Sequence, residues 1–209
     1  KSPLVLKELE ALSEDFEGEF EDIELVNDEL LDSDWEFDGQ RWSYVGSTDF
    51  DRPMHGVSHL SALEYCHWRT ETAKAQGKSW SFRLPTDREW ERAARGVDRR
   101  LFSWGNYLVW SYCRSERSDV ISPPSPVGSA VFDVSPFGVY DMTGSCSEHT
   151  TGRPVEDPDG SHYRSVRGGS WGNFDDVYFR LSSRNTLHPE SSKYGSGLRL
   201  VLELPKNEG

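Results

Sequence analysis

The 209-residue sequence predicts an irregular α+β domain with little regular secondary structure. Three observations carry that prediction. Hydrophobic residues are only 35% of the chain, yet they include 8 Trp, 8 Tyr and 10 Phe, so burial is concentrated in a few large rings. The 18 Gly and 11 Pro imply many turns. Helical periodicity is confined to the first half, and short apolar pieces between Gly, Pro, Asn and Ser fill the second.

The elements follow in order. Over 4–17, Val5, Leu6, Leu9, Leu12 and Phe16 form a helical stripe. Residues 27–53 are acidic, aromatic and turn-rich, which predicts loop with short strands. A helix is predicted over 59–75: Leu60, Leu63, Cys66 and His67 share a face, Ser58 or Ser61 caps the start and Gly77 ends it. Phe82-Arg83-Leu84-Pro85 then leads into Thr86-Asp87-Arg88-Glu89, a capping box whose hydroxyl and carboxylate each satisfy a free backbone N–H. Trp90, Ala93 and Ala94 are the buried face of the next helix, and Gly96 stops it. Beyond Gly96 no helix longer than a turn or two is expected. Residues 196–202 alternate and predict a closing strand.

The net charge of −13 lies wholly in residues 1–40, where 15 acids face only Lys1 and Lys7. This predicts an acidic N-terminal segment, 1–40, ahead of a domain over 41–205. A solvated helix or linker is the simpler account of the segment, and a docking surface for a basic partner the sharper one. No basic stripe is present, which argues against a nucleic-acid partner, and no run of 18 apolar residues argues for membrane insertion. Because the chain opens at Lys1 and not Met, an excised piece or mature form is expected. Cys66, Cys113 and Cys146 form neither a CxxC pair nor a zinc spacing. Buried thiols in a reduced, intracellular setting are the expectation, with one disulfide and a leftover thiol as the alternative.

Five stretches in order then carry a family resemblance. They are Val57-Ser58 with Ala62-Leu63-Glu64-Tyr65-Cys66-His67-Trp68; Arg83-Leu84-Pro85-Thr86-Asp87-Arg88-Glu89-Trp90; Phe102-Ser103-Trp104-Gly105; Val127-Gly128-Ser129 with Ser135-Pro136-Phe137-Gly138-Val139-Tyr140-Asp141-Met142-Thr143-Gly144; and Val166-Arg167-Gly168-Gly169-Ser170-Trp171. With Gly197-Leu198-Arg199-Leu200, the set resembles the FGE-sulfatase (formylglycine-generating enzyme, sulfatase-modifying factor) family over about 53–202. The resemblance implies a variant of the C-type lectin-like fold. The tract Arg95-Gly96-Val97-Asp98-Arg99-Arg100, with Tyr112-Cys113-Arg114-Ser115, looks most like the version attached to bacterial serine/threonine protein kinases, which implies fusion to a kinase or other domain and a cytoplasmic setting. As scaffold, Gly168-Gly169 lets backbone pass close to neighbours. Arg83, Arg167 and Arg184 are suited to bridging loop carbonyls or stacking on rings.

The family's enzymes depend on two cysteines after the RGGS motif. Here the matching stretch, Trp171 to Arg180, has none, and no Cys follows Cys146. Asn173 stands where the first would be, and neither amide nor carboxylate supplies a thiolate's ligation or nucleophilicity. The family's calcium stretch reads Gly144-Ser145-Cys146-Ser147-Glu148, with Ser145 in place of Asn. Glu148 and Ser145 form at most a degenerate calcium site, and Glu148 bonding to loop N–H groups explains it as well. No other cofactor is implied. The histidines form no HExxH or HxH pattern; His149, His162 and His188 are expected in loops.

These readings lead to a recognition domain and not an enzyme, with the groove kept as a binding surface for a protein or peptide. Its candidate residues are Asn173, Asp175, Asp176, Tyr178, Arg184, Asn185, His188 and Tyr194, while Trp171 and Phe179 are expected in the core. The alternatives are a variable ligand-binding protein of a diversity-generating retroelement, or a residual oxidoreductase of the family.

Overall fold

The computed structural model describes residues 51–118, 125–156 and 162–205, with the strand backbone at 35–37 and 42–44. The helical stripe over 4–17 lies outside the described residues. Strands β1 (Trp35–Phe37) and β2 (Trp42–Tyr44) pair antiparallel, Trp35 opposite Tyr44.

Helix α1 runs His59–Ala75, and Ser58 is its N-cap, its hydroxyl accepting from Ser61 N–H at 3.1 Å. Gly77, at φ +75°, turns the chain out of it. Its buried positions are His59, Leu60, Ala62, Cys66 and Ala73, whereas His67 is only half-buried. Strand β3 (Ser81–Arg83) pairs antiparallel with β9 (Val201–Glu203). Helix α2 (Asp87–Arg95) opens with the complete capping box between Thr86 and Glu89. Arg83 fixes that start by bonding both Glu89 oxygens at 2.7 Å. One 3₁₀ turn, Trp110–Tyr112, follows.

The central sheet runs β5 (Val155–Glu156), β6 (His162–Arg167), β4 (Ser147–His149), β8 (Ser196–Gly197), with β7 (Asn185–Leu187) also on β6. Between β6 and β7 lies the one-turn helix α3 (Asp176–Phe179). The pair β4–β8 is parallel, so chain from two distant segments runs side by side at the sheet's edge. Two expectations fail here. His149 and His162 sit in strands, not loops, and the closing alternation over 196–202 is divided between β8 and β9, which belong to different sheets.

The core forms around rings. Trp90, Ala94, Met142 and Leu181 make one cluster, Ala62, Cys66 and Leu84 a second, and Phe102, Cys113 and Phe179 a third. Arg167 threads the first: its side chain is fully buried, donates to Glu91 at 2.7 Å and to the Leu181 carbonyl at 2.9 Å, and lies 5.2 Å from the Trp90 ring centre. A buried guanidinium is tolerable only when so paired. All three cysteines are buried free thiols.

Candidate functional site

The RGGS motif ends β6 and starts the site. Gly168 takes φ +74°, and a Cβ on Gly169 would sit 2.5 Å from a Phe179 ring carbon, so only glycine lets β6 pass that ring. The chain then turns, with Asn173 N–H on the Ser170 carbonyl at 2.9 Å and Trp171 N–H on the Ser145 carbonyl at 2.9 Å. The single turn of α3 points Phe179 into the core and leaves Tyr178 36% exposed. Strand β7 returns along β6, setting Asn185 opposite Val166. The turn after it packs Gly195 on Ser170 and docks on β4 through Ser147 N–H to the Gly195 carbonyl at 2.8 Å.

These movements enclose a groove of about 360 Å³ lined by Asn173, Tyr178, Arg184, Asn185, Lys193 and Tyr194 above Ser147, Ser170 and Ser196. Five of the eight candidate residues therefore meet in one place. Asp175, Asp176 and His188 do not. Asp175 is the exposed residue ahead of α3, Asp176 pairs with Arg180 at 2.8 Å, and His188 packs edge-on against Tyr163. Trp171 is buried as expected and stands edge-to-face with Tyr194 and with His55, which backs the groove rim with rings. Arg184 is exposed on the groove instead of serving as scaffold. Lys193, Ser147 and Ser196 had no local signal, because only the β4–β8 pairing brings them to the groove.

The Asn173 side chain is itself oriented. Its carbonyl oxygen accepts from Ser170 N–H at 2.9 Å and from the Ser170 hydroxyl at 3.0 Å, which turns its NH₂ away from that turn.

A second hollow, about 750 Å³, is lined by Met54, Tyr65, Val127, Tyr140, Leu198 and Leu200, with Glu148 and Arg199 on its wall. The residues there do not suit a calcium ion. Both Glu148 oxygens receive Arg199, at 2.8 and 2.9 Å, and one also receives Trp90 Nε1 at 2.6 Å. A guanidinium occupies the carboxylate edge that a calcium ion would need. Nor, among the described residues, does the Glu148 carboxylate accept from a loop N–H, the simpler expectation. Ser145, at φ +65°, bridges loops through its backbone, its N–H donating to the Arg114 carbonyl at 3.0 Å. No group of three or more His, Cys, Asp or Glu among the described residues could hold a metal.

Burial raises the Cys66 thiol to about 11 and the Cys113 thiol to about 12, and burial with Glu148 and Asp141 pushes Cys146 higher still. All three stay protonated near neutrality, and none lines the 360 Å³ groove.

Comparisons with known proteins correct one expectation. The chain is 28% identical to hercynine oxygenase of Mycolicibacterium thermoresistibile over 197 residues, covering 82% of this chain and 41% of that protein. It is 30% identical to the formylglycine-generating enzyme of Thermomonospora curvata over 191 residues, covering 76% and 59%. The chain thus spans about half the length of these relatives. They are enzymes by name, so the expectation that the chain is not an enzyme is overturned: two missing thiols do not show that activity is lost. Among solved structures, Treponema denticola variable protein 1 matches with a TM-score of 0.61 at 22% identity, covering 77% of this chain and 74% of that one, which shows shared fold. The model of the sulfatase-modifying factor enzyme 1-like domain matches residues 6–204, and the chain therefore belongs to the FGE-sulfatase family.

Proposed function

We propose that the 360 Å³ groove is a ligand-recognition site for a peptide or a segment of a protein. The convergence of Asn173, Tyr178, Arg184, Asn185 and Tyr194 on one concave surface carries this reading. Amides suit a peptide backbone, and two tyrosines exposed at 36% and 52% offer flat faces at small entropic cost. We further place the chain in a bacterial, cytoplasmic protein as a domain over 41–205 behind an acidic segment. There it is fused to a serine/threonine kinase or another domain, and its fold is a variant of the C-type lectin-like type. The test is a titration of the chain with a pool of randomised octapeptides, followed by backbone amide shifts. Shifts should centre on 170–178 and 184–196 and vanish in Asn173→Ala/Tyr178→Ala; shifts unaltered in that variant would sink the reading.

A second reading follows from the hercynine oxygenase match, which covers most of this chain but under half of that protein. In it the same groove is the substrate-binding part of a longer oxidoreductase. Titration with hercynine in place of the peptides distinguishes the two, since only this reading expects shifts at Asn173 and Tyr178.

A further inference from the structure

We infer that the ligand presents a carboxylate to the groove, held between Arg184, Lys193 and the Asn173 amide; this rests on the groove being the recognition site. The acidic excess of the chain lies in residues 1–40, and beyond them acids and bases balance, so composition favours neither sign in the groove. Yet no Asp or Glu lines this groove, while Arg184 and Lys193 both do. Six arginines elsewhere have a carboxylate partner: Arg83 with Glu89, Arg95 with Glu91, Arg100 with Asp98, Arg167 with Glu91, Arg180 with Asp176 and Arg199 with Glu148. Arg184 and Lys193 make no side-chain hydrogen bond or ion pair with any described residue.

The third group points the same way. The two bonds from Ser170 use the Asn173 carbonyl oxygen, so this groove-lining side chain keeps its NH₂, a donor, for a ligand. Two cations and an oriented amide donor, with no competing anion, form a receptor for an acceptor-only group. A carboxylate fits it, because a guanidinium fork and an ammonium both bind carboxylate oxygens with charge-assisted bonds. The tyrosines beside them fit the apolar part of a residue next to that carboxylate. An acidic side chain and a peptide C-terminus share this chemistry.

Three matched octapeptide pools separate the cases: Asp and Glu with an amidated end, Asn and Gln with a free carboxylate end, and Asn and Gln with an amidated end. Each is titrated against the full chain, Arg184→Gln/Lys193→Gln and Asn173→Ala/Tyr178→Ala. One of the first two pools should bind about tenfold tighter than the third, a difference of about 1.4 kcal/mol. Arg184→Gln/Lys193→Gln should abolish the difference, and salt above about 0.1 M should shrink it. The preferred pool identifies the source of the carboxylate. Both cations are exposed, so thermal melting of that variant should match the parent. Equal binding of all pools, lost only in Asn173→Ala/Tyr178→Ala, overturns the carboxylate and leaves the recognition site standing. A charge preference that survives Arg184→Gln/Lys193→Gln overturns it too. Binding of no pool overturns both.

Discussion

Glu148 decides between a structural ion pair and a calcium ligand. Replacement by Ala removes both oxygens, which leaves the buried Trp90 Nε1 without its 2.6 Å acceptor and Arg199 without its 2.8 and 2.9 Å partners. Breaking a buried ion pair costs about 3–5 kcal/mol, and an unsatisfied buried donor about 1–3 kcal/mol. The Arg199 side chain is 30% exposed and keeps its 2.9 Å bond to the Tyr140 carbonyl, so water and that carbonyl recover part of the loss. The sum is therefore about 3–4 kcal/mol. For a domain of this size about 2–4 °C of Tm goes with each kcal/mol, so Glu148→Ala should melt about 10 °C lower. Glu148→Gln keeps an acceptor for Trp90 and loses only charge, and should fall about half as far. Melting followed by circular dichroism with added calcium and with EDTA completes the test. A drop of 2 °C or less in Glu148→Ala, or an EDTA-induced drop in the parent that Glu148→Gln lacks, would refute the ion-pair account.

Two further predictions concern packing and pH. Gly169→Ala forces a Cβ against the fully buried Phe179 ring and should cost about 1–3 kcal/mol by chemical denaturation. Gly172→Ala meets nothing within 4 Å, and equal stability losses in the two would undo the argument. Burial, then the charges of His149 and Arg164, lowers the His59 imidazole to about 3, so the unfolded chain takes up a proton below about 6.5 that the folded one refuses. That stability is intact above pH 6.5 and is lost as pH falls toward 3, by about 2 kcal/mol at pH 5. Asp133 opposes it: burial raises its carboxyl to about 7, and its contribution, present in acid, is lost as pH rises through 7. His59→Leu should therefore gain stability relative to the parent as pH falls from 6.5 to 5. A constant difference across that range would show that His59 does not remain neutral.

The capping box of Thr86 and Glu89 and the helix from Ser58 were legible because their determinants lie within a few residues of one another. The groove was half legible. The RGGS stretch marks where β6 ends, and the residues after it lie close to the site whatever the details, which is why Asn173 and Tyr178 were found. Asp175 and Asp176 fall outside the groove lining, because Asp175 stands exposed ahead of α3 and Asp176 takes Arg180 four residues on. Lys193 and Ser147 were invisible, since the parallel β4–β8 pair that joins them is a long-range event. The same reason hid the role of Glu148, whose partners Trp90 and Arg199 stand 58 and 51 residues away.

The residues that hold the domain together and those that face the groove are separate sets. Arg167, Glu91, Trp90, Glu148 and Arg199 bind one another beneath the sheet, and none of them lines the groove. Asn173 lines it, and its side chain is held by Ser170, within its own turn. A change of side chain at that position alters what the groove presents and leaves the network untouched. The scaffold can therefore be inherited intact by proteins whose reactions differ, and the motifs that reveal the family are largely scaffold motifs. Arg167 of the RGGS stretch and Trp90 of the capped helix say where the groove is. They do not say what happens in it: Arg184 and Lys193 line the groove as exposed side chains, and the family motifs do not include them.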